Sequence, residues 1–278
     1  MKTVLAIFTV LVIAGSAFLW IRSEKKQKHT SIPFEEKPFV VIIPSYNNVK
    51  YCEQNLLSVL NKNYGNFRII YIDDCSTDGT YEKVSRLVNT SSVTLIRNAQ
   101  NQGSLRNLYT ALHTCQDDEI AVLVDGDDFL AHDGVLKRLN KIYQDPEVWA
   151  TYGNYLDYPT YKQKPKICAP YPKGVIRANS YRSYRGWMLA AHLRSFKASL
   201  FKKIALADLQ MDGKFLPMAG DLAFMLPILE MSGKHTRFID EVLYLYNRAN
   251  PLNDHKRDLA LQSRCAAHIR SLKPYQAL

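Results

Sequence analysis

Three carboxylates follow an apolar run near the middle of the chain. The run is residues 120–124, and after it come Asp125, Gly126, Asp127 and Asp128. Carboxylates this close together raise one another's pKa or require a cation, and three in one loop exceed what helix capping needs. Oxygen ligands suit Mg²⁺ or Mn²⁺, and Mg²⁺ is commonly held by one or two carboxylates together with substrate phosphates. The segment therefore indicates a metal site for a diphosphate-containing substrate.

Two more polar clusters follow apolar runs, at residues 44–48 and 73–80. Near-continuous apolar strands that alternate with helices indicate a mostly parallel central sheet with helices on both faces. Ligands of such sheets bind at the carboxyl ends of the strands, so the three polar clusters should converge there. The pattern predicts strands over 39–43, 67–72, 93–96 and 120–124, helices over 53–60, 81–88, 105–113 and 260–270, and an irregular insertion over 154–187.

An apolar run at the N-terminus has the length of a membrane-spanning helix. Residues 3–21 carry almost no charge, so we predict a single-pass transmembrane anchor over residues 1–22. Small residues at 14–17 leave cleavage as a signal peptide as the alternative. The C-terminal flank is the more basic one, which by the positive-inside rule places the main domain in the cytoplasm, unless the anchor is of a Golgi type.

After the anchor the chain divides into three parts. A charged linker spans 23–37, an α/β domain spans 38–255, and a helical tail spans 256–278. The net charge of +10 suits an anionic small substrate or membrane surface. Because no helix-turn-helix, zinc-finger or RNA-recognition signature accompanies that charge, we expect no nucleic-acid partner. The five cysteines are scattered and lack CxxC spacing, which argues against a disulfide framework and against a zinc site and favours a reducing compartment.

Four motifs in order resemble those of family 2 glycosyltransferases of the GT-A fold, a Rossmann-like α/β fold. The resemblance covers roughly residues 38–248, with Leu105 where the family usually has Ala. The motifs are Val40–Asn47 (the first strand and donor loop), Ile72–Thr80 (a DDxSxDxT segment), Asn101–Asn107 (a helix start), and Val124–Asp128 (the DxD region).

The resemblance implies roles for these residues in binding a nucleotide sugar, most readily a UDP-sugar. Asp74 would contact the base edge, Asp78 and Arg106 would support the nucleotide, and Asp125 would position the ribose or metal. Mn²⁺ or Mg²⁺ would be held by Asp127 and Asp128, although which carboxylate touches the metal varies among relatives. The nucleotide-sugar set is Pro44, Tyr46, Asn47, Asp74, Asp78, Gly103, Arg106 and Asp125.

Inverting members of the family use a carboxylate at a helix start as catalytic base, and Asp221 fits that place. Gly220 stands where Glu is common, and a plain helix cap is the simpler role for Asp221. His192 and Arg194 are candidates for acceptor or diphosphate contacts, with a helix bearing solvated basic side chains as the alternative. His255 is a candidate late ligand of the metal or diphosphate.

Three functions compete on this evidence. The favoured one is a metal-dependent, inverting glycosyltransferase that acts on a glycan or glycolipid acceptor at the membrane. Gly220 motivates a second, a nucleotide-sugar or glycan-binding module on the same fold without catalysis. A phosphoacceptor receiver domain is the third, because Asp73 and Asp74 also follow a strand, but it leaves the carboxylates at 125–128 unexplained.

Overall fold

The structure is a computed structural model that describes residues 35–60, 63–88, 91–161, 168–184, 190–251 and 258–278. The described residues from Glu36 onward belong to one compact unit. The predicted anchor, the linker up to residue 34, and His255 lie outside the described residues. No helix in the described part of the chain combines the length and the apolar character needed to cross a membrane.

Strands and helices alternate through the first half of the chain. The strands are β1 Phe39–Ser45, β2 Phe67–Asp73, β3 Val93–Arg97, β4 Ile120–Leu123, β5 Phe129–Leu130, β6 Ala150–Tyr158, β7 Arg194–Lys197, β8 Gln210–Met211, β9 Lys214–Phe215 and β10 Thr236–Asn247. The helices are α1 Cys52–Leu60, α2 Thr80–Leu87, α3 Ser104–His113, α4 Val135–Tyr143, α5 Lys173–Arg177, α6 Ala198–Phe201, α7 Gly220–Ser232 and α8 Leu259–Ser271. Short 3₁₀ turns cover Leu206–Leu209 and Gly233–His235.

Eight strands form one mostly parallel sheet in the order β3-β2-β1-β4-β7-β6-β10-β5. Strands β3, β2, β1 and β4 are mutually parallel, and β6 is parallel to β10, whereas β7 and β5 run the other way. Ser45 is paired with Asp73, and Ile42 with Leu123, so β1, β2 and β4 end at the same edge. Because β7 is reversed, its first residue, Arg194, lies opposite Leu123 at that edge too.

Apolar side chains alternate between the two faces of the sheet and build a core on each. Val40 and Ile42 belong to a core that includes α3, α6, α7 and α8. Val41 and Ile43 belong to the opposite core, which includes α1, α2 and α4. The two-residue period of a strand places its neighbouring side chains on opposite faces, which is why β1 is apolar at every core position. The predicted α/β class with helices on both faces is confirmed.

The sequence prediction was less accurate after residue 150. The predicted irregular insertion over 154–187 is wrong at its start, because β6 continues to Tyr158 between β7 and β10. Polar residues interrupt the apolar pattern of this strand, and in the structure these residues form hydrogen bonds inside the sheet. Thr151 Oγ1 lies 2.6 Å from Ser195 Oγ, and Asn154 Nδ2 donates to Asp240 Oδ1 at 2.9 Å. The helix considered around residue 194 is instead a strand, β7, followed by the short helix α6.

The C-terminal part of the chain packs into the same unit beside a buried ion pair. Arg182 Nε donates to Glu230 Oε1 of α7 at 2.7 Å, and Tyr275 N donates to Glu230 Oε2 at 3.0 Å. Cys265 and Ile269 of α8 are fully buried in the core beside α7. The expected terminal helix is present, and its apolar side chains complete the core that supports α7.

We expect the Arg68–Glu119 pair to stabilise the fold at neutral pH. Arg68 makes two bonds to Glu119, of 2.6 and 2.8 Å, and Gln116 N donates to Glu119 Oε2 at 2.7 Å. Burial raises the pKa of Glu119, but these bonds outweigh it and the pKa is lowered overall. A lowered folded-state pKa gives stability that is present above the usual carboxyl pKa and lost on acidification.

Glu119→Gln should therefore cost about 1 kcal/mol of unfolding free energy at pH 7, measured by urea denaturation. The loss should vanish as the pH falls below the ordinary carboxyl range. Glu53→Gln, which removes the half-exposed pair with Lys83, is the control and should cost less. An equal loss of unfolding free energy in the two variants at pH 7 would contradict the stabilising role of the Arg68–Glu119 pair.

Candidate active site

The carboxylate loop after β4 is held in place by β10. Asp128 is only 1% exposed, and its two oxygens accept bonds from Asn247 N at 2.6 Å and Tyr244 Oη at 2.7 Å. The same Tyr244 hydroxyl accepts a bond from Asp125 N at 3.1 Å. Asp127 Oδ2 instead accepts from Asn250 Nδ2 at 2.7 Å. Residues at the end of β10 and just after it thus bond all three acidic residues of the loop.

The surroundings of Asp128 disfavour its charged form. Burial raises the pKa of Asp128 well above its ordinary value, and the neighbouring carboxylates of Asp127 and Asp125 raise it further. The bonds from Asn247 and Tyr244 lower it but do not reverse the shift. Close carboxylates that share a site behave in this way, and a bound cation would relieve the repulsion.

His192 joins two of these carboxylates in a group that could hold a metal ion. Ligand atoms of Asp125, Asp128 and His192 all lie within 4.8 Å of one another. The imidazole is buried and stacks on the Tyr244 ring, with the ring centroids 4.5 Å apart and the planes at 10°. Burial, and then the charge of Arg194, hold the pKa of His192 well below its usual value. Within the described residues, Asp128 is thus grouped with Asp125 and His192, while a role for Asp127 as a metal ligand stays a prediction.

The loops after β1 and β4 approach each other too closely for a side chain at residue 126. A Cβ on Gly126 would lie 2.6 Å from Ser45 Cβ and Oγ and 2.8 Å from Ser45 Cα. Gly126 N also donates to the Pro44 carbonyl at 3.1 Å. Glycine is thus required at residue 126, because the backbone of the carboxylate loop packs closely against the predicted donor loop.

The predicted nucleotide-binding residues lie at the same edge, where their loops interlock. Asp74 accepts bonds from Asn98 Nδ2, Gln102 N and Gly103 N at 2.7–2.8 Å, which ties the end of β2 to the start of α3. Asp78 Oδ2 accepts from Val49 N at 3.0 Å. Contacts of these residues with a nucleotide stay predictions.

The remaining predicted donor residues line the same edge. Asn47 Oδ1 accepts from Thr77 N at 2.9 Å and so ties the donor loop to the loop after β2. Tyr46 is 40% exposed beside it, and Gly103 has φ +83°, which only glycine adopts readily. Arg106 is exposed in the first turn of α3. This edge thus carries an exposed aromatic residue and an exposed cationic one.

Asp221, the predicted base, lies in the first turn of α7 and is bonded to a buried arginine. Arg194 Nη2 donates to Asp221 Oδ2 at 3.0 Å, and Leu222 N donates to Oδ1 at 2.8 Å. The Arg194 side chain is 8% exposed, whereas that of Asp221 is 43% exposed. The helix itself is preceded by Ala219 as its cap, so Asp221 is not the cap residue. Its carboxylate is left open to a ligand at the edge.

The family model described as Glycosyl transferase family 2 matches residues 40–209, which is most of the described domain. The chain belongs to this family. A Haemophilus influenzae protein described as an uncharacterized glycosyltransferase is 39% identical over 116 residues, which are 41% of this chain and 46% of that protein. The putative teichuronic acid biosynthesis glycosyltransferase TuaG of Bacillus subtilis is 36% identical over 110 residues, 37% of this chain and 41% of TuaG. The chain thus spans less than half the length of these curated relatives.

Among solved structures, Staphylococcus aureus TarS residues 1–349 in complex with UDP-GlcNAc superimposes with a TM-score of 0.60. The two proteins are 18% identical, and the match covers 79% of this chain and 60% of that one. At that identity the likeness shows the fold alone, which is GT-A. The predicted family and fold are therefore confirmed.

Two departures of this glycosyltransferase-family chain from the family pattern lie against each other. A Cβ on Gly220 would meet Leu105 Cβ at 3.4 Å and Cδ1 at 3.8 Å. These are ordinary van der Waals distances, so the two positions that depart from the pattern are neighbours in the structure.

Sequence reasoning missed the residues that hold the carboxylate loop from outside it. Asn55 Nδ2 of α1 donates to the carbonyls of Asp125 and Asp128 at 2.9 and 2.7 Å. It lies among Cys52, Leu56 and Val59 on the buried face of α1, and a polar residue on that face was the available signal. Tyr244, Asn247 and Asn250 carry no such signal, because their partners lie more than 110 residues away.

Gly126→Ala should move the carboxylate loop of this family 2 member. A methyl group at 2.6 Å from Ser45 forces the backbone apart, and overpacking of this kind typically costs ~1–3 kcal/mol. We expect a lower melting temperature and weaker binding of UDP with Mn²⁺ by isothermal titration calorimetry. Gly174→Ala is the control, since nothing lies within 4 Å of its Cβ position. Unchanged UDP binding by Gly126→Ala would show that the close approach of Gly126 to Ser45 does not determine the position of the carboxylate loop.

Proposed function

We propose that this chain transfers a sugar from a nucleotide sugar, most readily a UDP-sugar, to a hydroxyl group of a glycan or glycolipid. One observation carries the proposal: Asp125, Asp128 and His192, a group that could hold a cation, share the sheet edge with the partly exposed carboxylate of Asp221. The donor class is supported by the UDP-GlcNAc that TarS binds. The acceptor class is supported by the role in teichuronic acid biosynthesis that the name of TuaG gives.

The residues at the edge fit a divalent cation. Two carboxylates and one imidazole offer ligand atoms within 4.8 Å of one another, and the repulsion among the carboxylates favours a positive ion between them. When bound, Mn²⁺ or Mg²⁺ would act as a Lewis acid on the diphosphate and stabilise the charge that develops on it. Imidazole is a ligand of transition metals more than of Mg²⁺, so His192 favours Mn²⁺.

Asp221 acts as the general base in this proposal. Its carboxylate takes the proton of the acceptor hydroxyl as that oxygen forms a bond to the anomeric carbon. The bond from the anomeric carbon to the diphosphate oxygen breaks, and the nucleoside diphosphate leaves with the electron pair. A single base on the face opposite the leaving group inverts the anomeric configuration.

The second candidate, a binding module without catalysis, was motivated by Gly220. Against this candidate, Asp221 keeps a carboxylate in the first turn of α7 with a side chain that is 43% exposed. Attachment to a membrane through residues 1–22, with the domain in the cytoplasm, is part of the proposal and rests on the sequence alone.

Asp221→Asn tests the catalytic role directly. The amide cannot accept the hydroxyl proton, so transfer should fall by ~10²–10⁴-fold, while Mn²⁺-dependent binding of the nucleoside diphosphate is retained. The measurement is a screen of nucleotide sugars for release of the nucleoside diphosphate with membrane glycolipid as acceptor. Asp212→Asn, in an exposed turn between β8 and β9, is the control and should remain fully active. Full activity of Asp221→Asn would reject Asp221 as the base.

A further inference from the structure

Arg194 stands between the proposed base and the proposed metal group. It is the first residue of β7 and lies opposite Leu123, the last residue of β4, at the edge that carries the carboxylate loop. Its guanidinium group meets three partners. Nη2 bonds Asp221 Oδ2 at 3.0 Å, Nε bonds the Ala190 carbonyl at 3.2 Å, and Nη1 lies 3.5 Å from His192 Nδ1.

A contribution to folding stability does not explain why the Arg194 side chain is buried. A buried guanidinium loses its hydration, and an ion pair with a partly exposed carboxylate returns little free energy. The other buried arginine pair, Arg182 with Glu230, joins α7 to the C-terminal residues through bonds to Ile269 O and from Tyr275 N. Within the described residues, the side chain of Arg194 bonds one other element, the first turn of α7 at Asp221. Apart from a backbone carbonyl four residues away, its partners are the two side chains that the proposed reaction uses.

The guanidinium has only donors, and they are fixed in one plane. With Nε anchored on the Ala190 carbonyl, the plane cannot turn, and Nη2 holds one oxygen of the Asp221 carboxylate in a set direction. The other oxygen, Oδ1, accepts the bond from Leu222 N, and the Asp221 side chain stays 43% exposed while that of Arg194 is 8% exposed. Arg194 itself is therefore badly placed to touch an acceptor or diphosphate, which was its role in the sequence prediction.

We propose that Arg194 is a positioning residue that aligns Asp221 for proton abstraction from the acceptor hydroxyl. The inference rests on the proposed function, in which Asp221 takes that proton. Misplacing a reacting group by about 1 Å costs on the order of 10²-fold in rate, so loss of the guanidinium should lower kcat. The Michaelis constant for the donor should not change, because the Arg194 side chain is only 8% exposed and its donors are directed at Asp221, the Ala190 carbonyl and His192.

The test compares Arg194→Gln, Arg194→Lys and Arg194→Ala with wild type in steady-state transfer assays. Arg194→Gln and Arg194→Ala should lose about 100-fold in kcat at an unchanged donor KM, and added guanidinium ion should restore part of the activity of Arg194→Ala. Arg194→Lys keeps the charge but not the planar fork and should recover little. Arg138→Gln, which breaks an exposed pair with Glu241, is the control and should keep wild-type kcat.

Each outcome decides for or against the proposal. An unchanged kcat for Arg194→Gln overturns it, and so does a rise in donor KM at constant kcat, which would make Arg194 a donor contact. Should Arg194→Gln fail to fold by circular dichroism, the guanidinium rescue of Arg194→Ala and the kcat of Arg194→Lys decide instead. Full transfer by Arg194→Gln with an inactive Asp221→Asn removes this inference alone, whereas a wild type without transfer activity removes the proposed function.

Discussion

The arrangement of the edge depends on one buried carboxylate, that of Asp128. It is covered by the sheet, it lies near two further carboxylates, and its oxygens are held by the Tyr244 hydroxyl and the Asn247 backbone amide of β10. A carboxylate in such a place is costly unless a positive charge compensates for it. The fold maintains the arrangement from several sides, with Asn55 of α1 bonded to the loop carbonyls and Gly126 pressed against Ser45. These contacts hold Asp128 beside Asp125 and His192, in the group that could hold a metal ion.

The reversed strand β7 brings the rest of the site to the same place. A parallel strand would begin at the opposite edge, but an antiparallel neighbour of β4 begins where β4 ends. His192 and Arg194 therefore reach the carboxylate loop although 64 residues separate His192 from Asp128 in the chain. Arg194 then connects to Asp221 at the start of α7, so the metal-side and base-side groups are joined through a single side chain. The strand order and direction therefore bring these residues together at one edge of the sheet, although they are far apart in the chain.

The first half of the fold was predictable, and so was the position of the carboxylates, because both depend on local pattern. Strands β1, β2 and β4 are continuous apolar runs with polar turns, and the chain between them has helical periodicity. Strand β6 was missed because Thr151 and Asn154 are polar yet paired inside the sheet. The grouping of His192 with Asp125 and Asp128, and of Arg194 with Asp221, depends on register between distant strands, which one sequence does not encode locally. Likewise, the sequence does not show that Leu105 and Gly220 are neighbours, whereas in the structure Leu105 Cβ lies 3.4 Å from the Cβ position of residue 220.

The central claim is that Asp125 and Asp128 hold a divalent cation together with a nucleoside diphosphate. Electron paramagnetic resonance of Mn²⁺ titrated into the protein in the presence of UDP measures this directly, since bound Mn²⁺ is lost from the free-ion signal. We expect one tight site in the wild type and at least ~10-fold weaker binding in Asp125→Asn and in Asp128→Asn. Asp117→Asn, an exposed carboxylate paired with Lys202, should bind as the wild type does. Equally tight Mn²⁺ binding by all four proteins would contradict the account.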